Sequence, residues 1–287
     1  MSSWVGAVTT AVLVGAALAL VAPATAASGP LAYTCSVLGN SRGFTVLADT
    51  DAPLRLPFGA TVAANAAVRI TVPEDVTTAF RDVFGVRKID GTADVAATVD
   101  GAATPWSLPI ARVDLPASGP LTLDAYGAGG SFVGSKVGTV HRVATGNLTA
   151  TLAFYDANGL PLSPVRGTAV VCTLNAGQDA AVDAVEVVKD RTATKVRARD
   201  ISRGDKPKAR ITITSEHGKR PKGTVRVALR RKGTELRSKK VALERGTATV
   251  KFARLTDKGR YAVEVKYLKH KNFRRSKTKD AFRVGGR

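Results

Sequence analysis

GTAVVCTLNAGQD, residues 167–179, closes the first part of this 287-residue chain. It holds Cys172, and the only other cysteine is Cys35, near the start. Between the two lie short segments of alternating polar and apolar residues, broken by Gly, Pro, Asn and Asp. Repeated short strands in that rhythm are the pattern of a sandwich or barrel. The cysteines therefore bracket one all-β domain, and beyond Asp179 the composition turns abruptly basic.

The N-terminus sets the compartment. Trp4 to Val21 (WVGAVTTAVLVGAALALV) is apolar and uncharged, and Ala24-Thr25-Ala26 follows as a small-residue cleavage site. Residues 1–26 thus read as a secretory signal peptide, although Met1-Ser2-Ser3 brings no Lys or Arg. The rival reading is a retained membrane anchor, since about 20 apolar residues span a bilayer. In an exported chain two cysteines are expected to pair, so Cys35 and Cys172 are expected as a disulfide, with two buried thiols as the alternative. Neither cysteine has a CxxC partner or a nearby histidine, so no metal site is expected. After cleavage no transmembrane segment is expected, and the mature protein reads as secreted or held at the cell envelope.

Charge is split along the chain. Through Val188 there are ten Lys/Arg against fourteen Asp/Glu; from Lys189 onward there are 33 against 9. The two parts carry −4 and +24, which together make the net +20.

Strands are expected at GFTVLADT (43–50), TVAANAAVRITV (61–72), TADVAATV (92–99), PLTLDAYG (120–127) and NLTATLAFY (147–155). One segment breaks the rhythm. In PEDVTTAFRDVFG, Val76, Ala79, Phe80, Val83 and Phe84 fall on one helical face, with Pro73 before it and Gly85 after it. A short helix across an open edge or end of the sandwich is expected there. DAAVDAVEVVKD (179–190) reads as the join, with domains at 27–184 and 185–287. Further strands are expected at ARITIT (209–214), GTVRVAL (223–229), GTATVKFARL (246–255), RYAVEVKYL (260–268) and DAFRV (280–284), with turns at Lys232-Gly233, Arg245-Gly246 and Lys258-Gly259.

Two resemblances attach to these residues. LAYTCSV, ITVPEDVTTAFRDVFGVRKIDGTADVAATV, PASGPLTLDAYG and CTLNAGQDAAV together resemble a secreted actinobacterial domain family without an assigned activity, found ahead of Ig-like repeats. The order GTVRVAL, GTATVKFARL, RYAVEVKYL, FRV resembles one bacterial Ig-like repeat of surface proteins. The resemblances imply two β-sandwich domains, the first with a short helix and the second Ig-like. The second departs from such repeats in its charge.

Catalytic patterns are sparse. His141, His217 and His270 are far apart and belong to no HExxH motif or nucleophile elbow; His217 and His270 sit among Lys and Arg and read as solvated. GGSFVGSK (129–136) has phosphate-loop glycine spacing but ends Gly-Ser-Lys, so it reads as a hairpin loop. Asp49 with Asp51, and Glu74 with Asp75, offer at most weak calcium ligands. No enzyme activity and no cofactor is expected.

The basic clusters carry the functional reading. They are Arg230-Arg231-Lys232; Arg237 with Lys239-Lys240; and Lys269, Lys271, Arg274, Arg275, Lys277 and Lys279 in what reads as the loop before the last strand. Arg226, Lys251 and Lys266 add outward strand cations. One reading is a solvated surface that keeps the protein soluble. The other is contact with anionic cell-wall polymers or glycans, which would relieve the self-repulsion of +24. Sequence-specific nucleic-acid binding is not expected, because no helix-turn-helix, zinc-finger or RNA-binding signature is present. An enzyme or inhibitor module in the first domain, or a plain structural spacer, are the alternatives.

Overall fold

A computed structural model describes residues 29–162, 168–268 and 270–286. The signal-peptide reading of residues 1–26 and the candidate Lys269 lie outside the described residues. The rest is almost all strand.

The first sheet is built from β1 (Leu31–Val37), β2 (Asn40–Thr50), β3 (Arg55–Pro57), β4 (Thr61–Val72), β5 (Lys88–Val99), β6 (Ala102–Ala103), β7 (Trp106–Asp114), β8 (Leu121–Val133), β9 (Val140–Tyr155), β10 (Thr168–Leu174) and β11 (Ala181–Val188). Its order is β3-β11-β9-β10-β1-β2-β4-β8-β7-β5-β6, and β5 also pairs with β9. That last pairing closes β9, β10, β1, β2, β4, β8, β7 and β5 into an antiparallel ring. Closure leaves those eight strands without a free edge. Alternation fills the interior: in β1, Leu31, Tyr33, Cys35 and Val37 are buried while the residues between them are exposed. Cys35 and Cys172 stand opposite each other in the β1/β10 register and form the disulfide. The bond fastens the first strand of the ring to β10, near the end of the domain's chain.

Two local expectations change. The helix α1 (Glu74–Thr78) continues as a π-helical turn over Ala79–Val83, where the Phe84 N–H reaches back to the Ala79 carbonyl at 3.3 Å. The extra residue in that turn rotates the face. Val76 and Phe80 stay buried, with the Phe80 ring 5.0 Å from that of Phe154, but Val83 is 73% exposed and Phe84 is exposed too. The stretch expected as a loop, GGSFVGSK, instead begins inside β8, where Phe132 is buried. Gly129 allows it: a Cβ there would lie 2.9 Å from the Ala66 backbone, and its carbonyl accepts the Trp106 indole N–H at 2.8 Å.

The basic part folds as two facing sheets. The strands are β12 (Thr192–Ala198), β13 (Ile201–Ser202), β14 (Lys208–Ser215), β15 (Thr224–Arg231), β16 (Thr234–Ala242), β17 (Thr247–Lys251), β18 (Gly259–Tyr267) and β19 (Ser276–Gly285). One sheet is β12-β14-β17 and the other β13-β19-β18-β15-β16. Ile211, Ile213, Val225, Val227, Val263 and Val265 face one another in the core. β17 stops at Lys251, short of the expected Leu255, because Phe252 turns its N–H to the Pro207 carbonyl at 3.0 Å. Lys232 and Gly233 both take positive φ (49° and 85°), the geometry of a tight hairpin turn between β15 and β16.

The expected border at residue 184 falls inside β11, whose Val185 and Val187 are buried strand positions. The junction lies just beyond, at Lys189–Arg191, and it is packed. The Phe58 N–H donates to the Val188 carbonyl at 2.8 Å, and the Phe58 ring meets Phe273 edge-on at 5.6 Å. Asp190 is fully buried: its carboxylate accepts His217 Nδ1 at 2.8 Å and the His217 N–H at 3.3 Å. Lys189 Nζ donates to the His270 carbonyl at 2.7 Å, and the His270 ring lies 5.3 Å from Phe273. Both histidines therefore belong to the junction rather than to solvated surface, since the fold returns their loops onto residues 189–190. Burial, with Lys271 and Lys189 nearby, pushes His270 below the ordinary histidine range.

The disulfide closes a separation of 137 residues. Cys35→Ser or Cys172→Ser is expected to lower the unfolding free energy by about 4–5 kcal/mol in the chain-entropy model. Urea unfolding without reductant measures it; a variant that unfolds at the wild-type midpoint would contradict this role.

Candidate functional site: a cationic sheet face

Antiparallel pairing decides where the basic residues point. In β15 and β18, Val225, Val227, Val263, Val265 and Tyr267 are buried, so the residues between them face out. Pairing then sets Arg226 opposite Lys240 on one side and Lys266 on the other, and Lys266 opposite Lys277. Four cations therefore stand in one row across β16, β15, β18 and β19. At about 4.8 Å between strands the row is about 14 Å long. The next row brings Lys279 beside Glu264 and Ala228. Beyond the small side chains of Ala262 and Ala281, Arg260 stands opposite Arg283. The face is an alanine-floored strip with cations along both sides.

Two carboxylates partly neutralise it. Glu235 lies 2.8 Å from Arg226 and 3.4 Å from Arg230. Glu264 lies 2.7 Å from Arg230 and 3.0 Å from Lys266. Bonds from Ser238 and Arg226 hold Glu235 below the usual carboxylate range. The Lys266 ammonium does the same for Glu264 and, with Arg230, outweighs its partial burial. Among the described residues, the side-chain cations of Lys240, Lys277, Lys279, Arg260 and Arg283 form no ion pair, and Arg283 meets Asp200 only through its backbone N–H, at 2.7 Å.

The sequence-nominated residues do not all share this face. Arg226, Arg230, Lys240, Lys266, Lys277 and Lys279 do. Lys277 and Lys279 lie in β19 rather than in the preceding loop, because pairing with β18 starts already at Ser276. Arg231 pairs with Asp257 and sits over the Tyr261 ring, and Lys232 occupies the hairpin turn. Arg237 and Lys239 fall opposite Leu229 and Val227, so on edge strand β16 they turn to the inner side. There Lys239 Nζ donates to the Lys251 carbonyl at 2.8 Å, and both residues line an open trough of about 390 Å³ with Lys251 and Phe252. Lys271, Arg274 and Arg275 are exposed beside the junction. Arg260 and Arg283 were missed, although the alternation in RYAVEVKY and AFRV carried them.

The other candidates resolve into structural roles. Asp51 accepts the backbone N–H and side-chain amide of Asn65 at 2.6 and 2.7 Å, Asp75 pairs with Arg42 at 2.8 Å, and Glu74 accepts the Gly119 N–H at 3.0 Å. Of the four carboxylates considered for calcium, these three are bonded in this way, and the fourth, Asp49, accepts the Thr50 N–H at 2.9 Å. Asp190, Glu216 and His217 bring ligand-type atoms within 4.8 Å of one another, but both Asp190 oxygens already accept bonds from His217. His141 Nδ1 lies 2.6 Å from Asp100, in a surface clamp that also takes the Arg142 N–H. One group had no sequence signal. A bulge between Ala181 and Asp183 turns Asp183 inward to Thr50, beside an open surface groove of about 510 Å³ that Arg142 and Gln178 also line. Burial raises the Asp183 pKa, against the bond from Thr50.

Residues 32–183 match the model described as "Family of unknown function (DUF6801)". The chain belongs to that family. Beyond the DUF6801 domain, residues 184–287 lie outside the match. No curated protein matches this sequence. Among solved structures, a Corynebacterium diphtheriae protein described as membrane anchored is 14% identical with a TM-score of 0.34; 91% of this chain is covered, and the chain spans 58% of that one. The fibronectin(III)-like modules of Clostridium thermocellum CbhA are 14% identical, with 83% and 94% of the two chains covered and a TM-score of 0.26.

Glu264 gives this face a pH signature. Its folded pKa is depressed, so its contribution is present above its unfolded value, about 4.3, and is lost as pH falls through the folded value. Between pH 7 and 3 the basic part of the wild type is expected to lose more stability than Glu264→Gln. Urea unfolding followed at Tyr261 and Tyr267 tests this, and parallel pH profiles would contradict it.

Proposed function

We propose that this DUF6801 protein is an exported, non-enzymatic protein that holds to anionic polymers of the cell envelope through the outer face of its five-stranded sheet. The observation that carries the reading is the in-register row Lys240, Arg226, Lys266, Lys277. Like charges directly opposite one another across strands are destabilising. A polymer of regularly spaced phosphate or sulfate groups laid along the row would remove that repulsion and release its own counterions. The Cys35–Cys172 disulfide supports an oxidising compartment, as does the leader-like sequence of residues 1–26. No helix among the described residues is long and apolar enough to cross a membrane. In this reading the charge of the sheet face holds the protein at the envelope.

A second reading, an enzyme or inhibitor module, is favoured by one observation: buried Asp183 beside an open surface groove. Asp183 bonds to Thr50 and, among the described residues, to no histidine or second carboxylate.

The test uses the full mature chain and its association with the producing cells at physiological salt. Arg226, Lys240, Lys266 and Lys277 are changed together to Gln. The control changes four exposed cations elsewhere, Lys136, Lys206, Lys222 and Arg254, to Gln. The row variant is expected to associate with the cells more weakly than the control does. With purified teichoic acid, the row variant should flatten the plot of log K against log salt by about 3–4, close to one per lost contact. Equal association of the two variants would sink this reading and leave a solvated, spacer-like surface.

A further inference from the structure

The sheet on the opposite side of the same sandwich carries cations that the reading above leaves unused. Its three strands, TATKVRA, KARITITS and TATVK, contain no acidic residue. Ile211, Ile213 and Val250 are buried, so alternation turns Lys195, Arg197, Arg210 and Lys208 outward. Register places Arg197 opposite Arg210, and Lys208 opposite Lys251. Lys195 stands opposite Thr212, one outward position along from the arginine pair. Among the described residues none of these five cations forms an ion pair. On the five-stranded face, by contrast, Glu235 and Glu264 have been placed between the cations.

Lys195, Arg197, Arg210, Thr212 and Thr214 line a shallow recess of about 290 Å³. Two guanidinium forks, an ammonium and two hydroxyls converge there with no competing carboxylate. Guanidinium groups bind oxyanions through paired N–H donors, and threonine hydroxyls add single bonds. The recess is too open for a buried small molecule and well suited to one tetrahedral oxyanion group of a longer chain.

We infer that the three-stranded sheet is a second anion-binding face, taking phosphate or sulfate groups at Lys195, Arg197 and Arg210, so that one molecule can hold two anionic chains at once. This rests on the polyanion reading of the first face. The two sheets lie back to back about 10 Å apart, and their outward side chains lengthen the separation further. That exceeds the Debye length of about 8 Å at physiological salt, so the faces act independently. With a binding face on each side, the domain becomes a cross-link between strands of polymer rather than a single point of attachment.

The test is titration calorimetry of the full mature chain with a sulfated heparin tetrasaccharide, too short to reach round the sandwich. Wild type is expected to bind two molecules. Lys195→Gln/Arg197→Gln/Arg210→Gln is expected to bind one, and the four-residue row variant also one. These are exposed positions, and circular dichroism confirms that each variant is folded. Only wild type should cluster beads coated with long heparin. A wild-type stoichiometry of one that the triple variant leaves unchanged overturns the second face while sparing the first. A row variant that still binds two overturns the first reading instead. Clustering that persists in the triple variant also overturns the second face.

Discussion

Antiparallel register is the constraint on which the basic domain of this molecule depends. Once Val225, Val227, Val263 and Val265 are committed to the core, every residue between them is committed to the outside. Pairing then fixes which outward residue meets which, and here cation meets cation on three successive strand pairs. Two unit charges about 5 Å apart repel by about 0.8 kcal/mol in bulk water, and by more near a protein surface. The row therefore costs on the order of 2 kcal/mol before screening. The buried aliphatic core carries that cost, and Glu235 and Glu264 reduce it without cancelling it.

What the first domain contributes is placement. Its strands close into a ring in which Cys35–Cys172 fastens β1 to β10. β11 then hands the chain to the second domain through a junction with little freedom. Phe58 caps Phe273 from one side, and the buried Asp190 carboxylate holds the His217 loop from the other. Because Asp190 also exchanges backbone bonds with Asn272 and Arg274, the loop leading into β19 is anchored, and with it Lys277 and Lys279. Disulfide, junction and cationic face form one mechanical series.

Period-two alternation made much of the fold legible. TVAANAAVRITV coincides with β4 from end to end, and the cysteine pair announced the disulfide. Pairing was not legible. Lys239 and Lys240 are neighbours in sequence, yet they point to opposite sides of β16, and only its register with β15 says which. The same gap hid Arg197 and Arg210, which are unremarkable until β12 is laid against β14. His217 and His270 looked solvated because their sequence neighbours are basic, whereas the groups that hold them, Asp190 on His217 and Lys189 on the His270 carbonyl, come from elsewhere in the chain. Val83 was misplaced because a helical wheel assumes 3.6 residues per turn and the π-helical turn breaks that count. Asp183 required a bulge, which no periodicity announces.

The central claim is that in-register cations on the five-stranded sheet repel one another and await an anionic partner. The most direct measurement is the thermal unfolding of the mature protein as NaCl rises from about 0.02 to about 0.5 M, a range over which the Debye length falls from about 20 Å to about 4 Å. The account predicts that the melting temperature of the basic domain rises with salt in wild type. In the variant with Arg226, Lys240, Lys266 and Lys277 all changed to Gln, it should start higher and respond less. A wild type and a variant with the same salt response would contradict it.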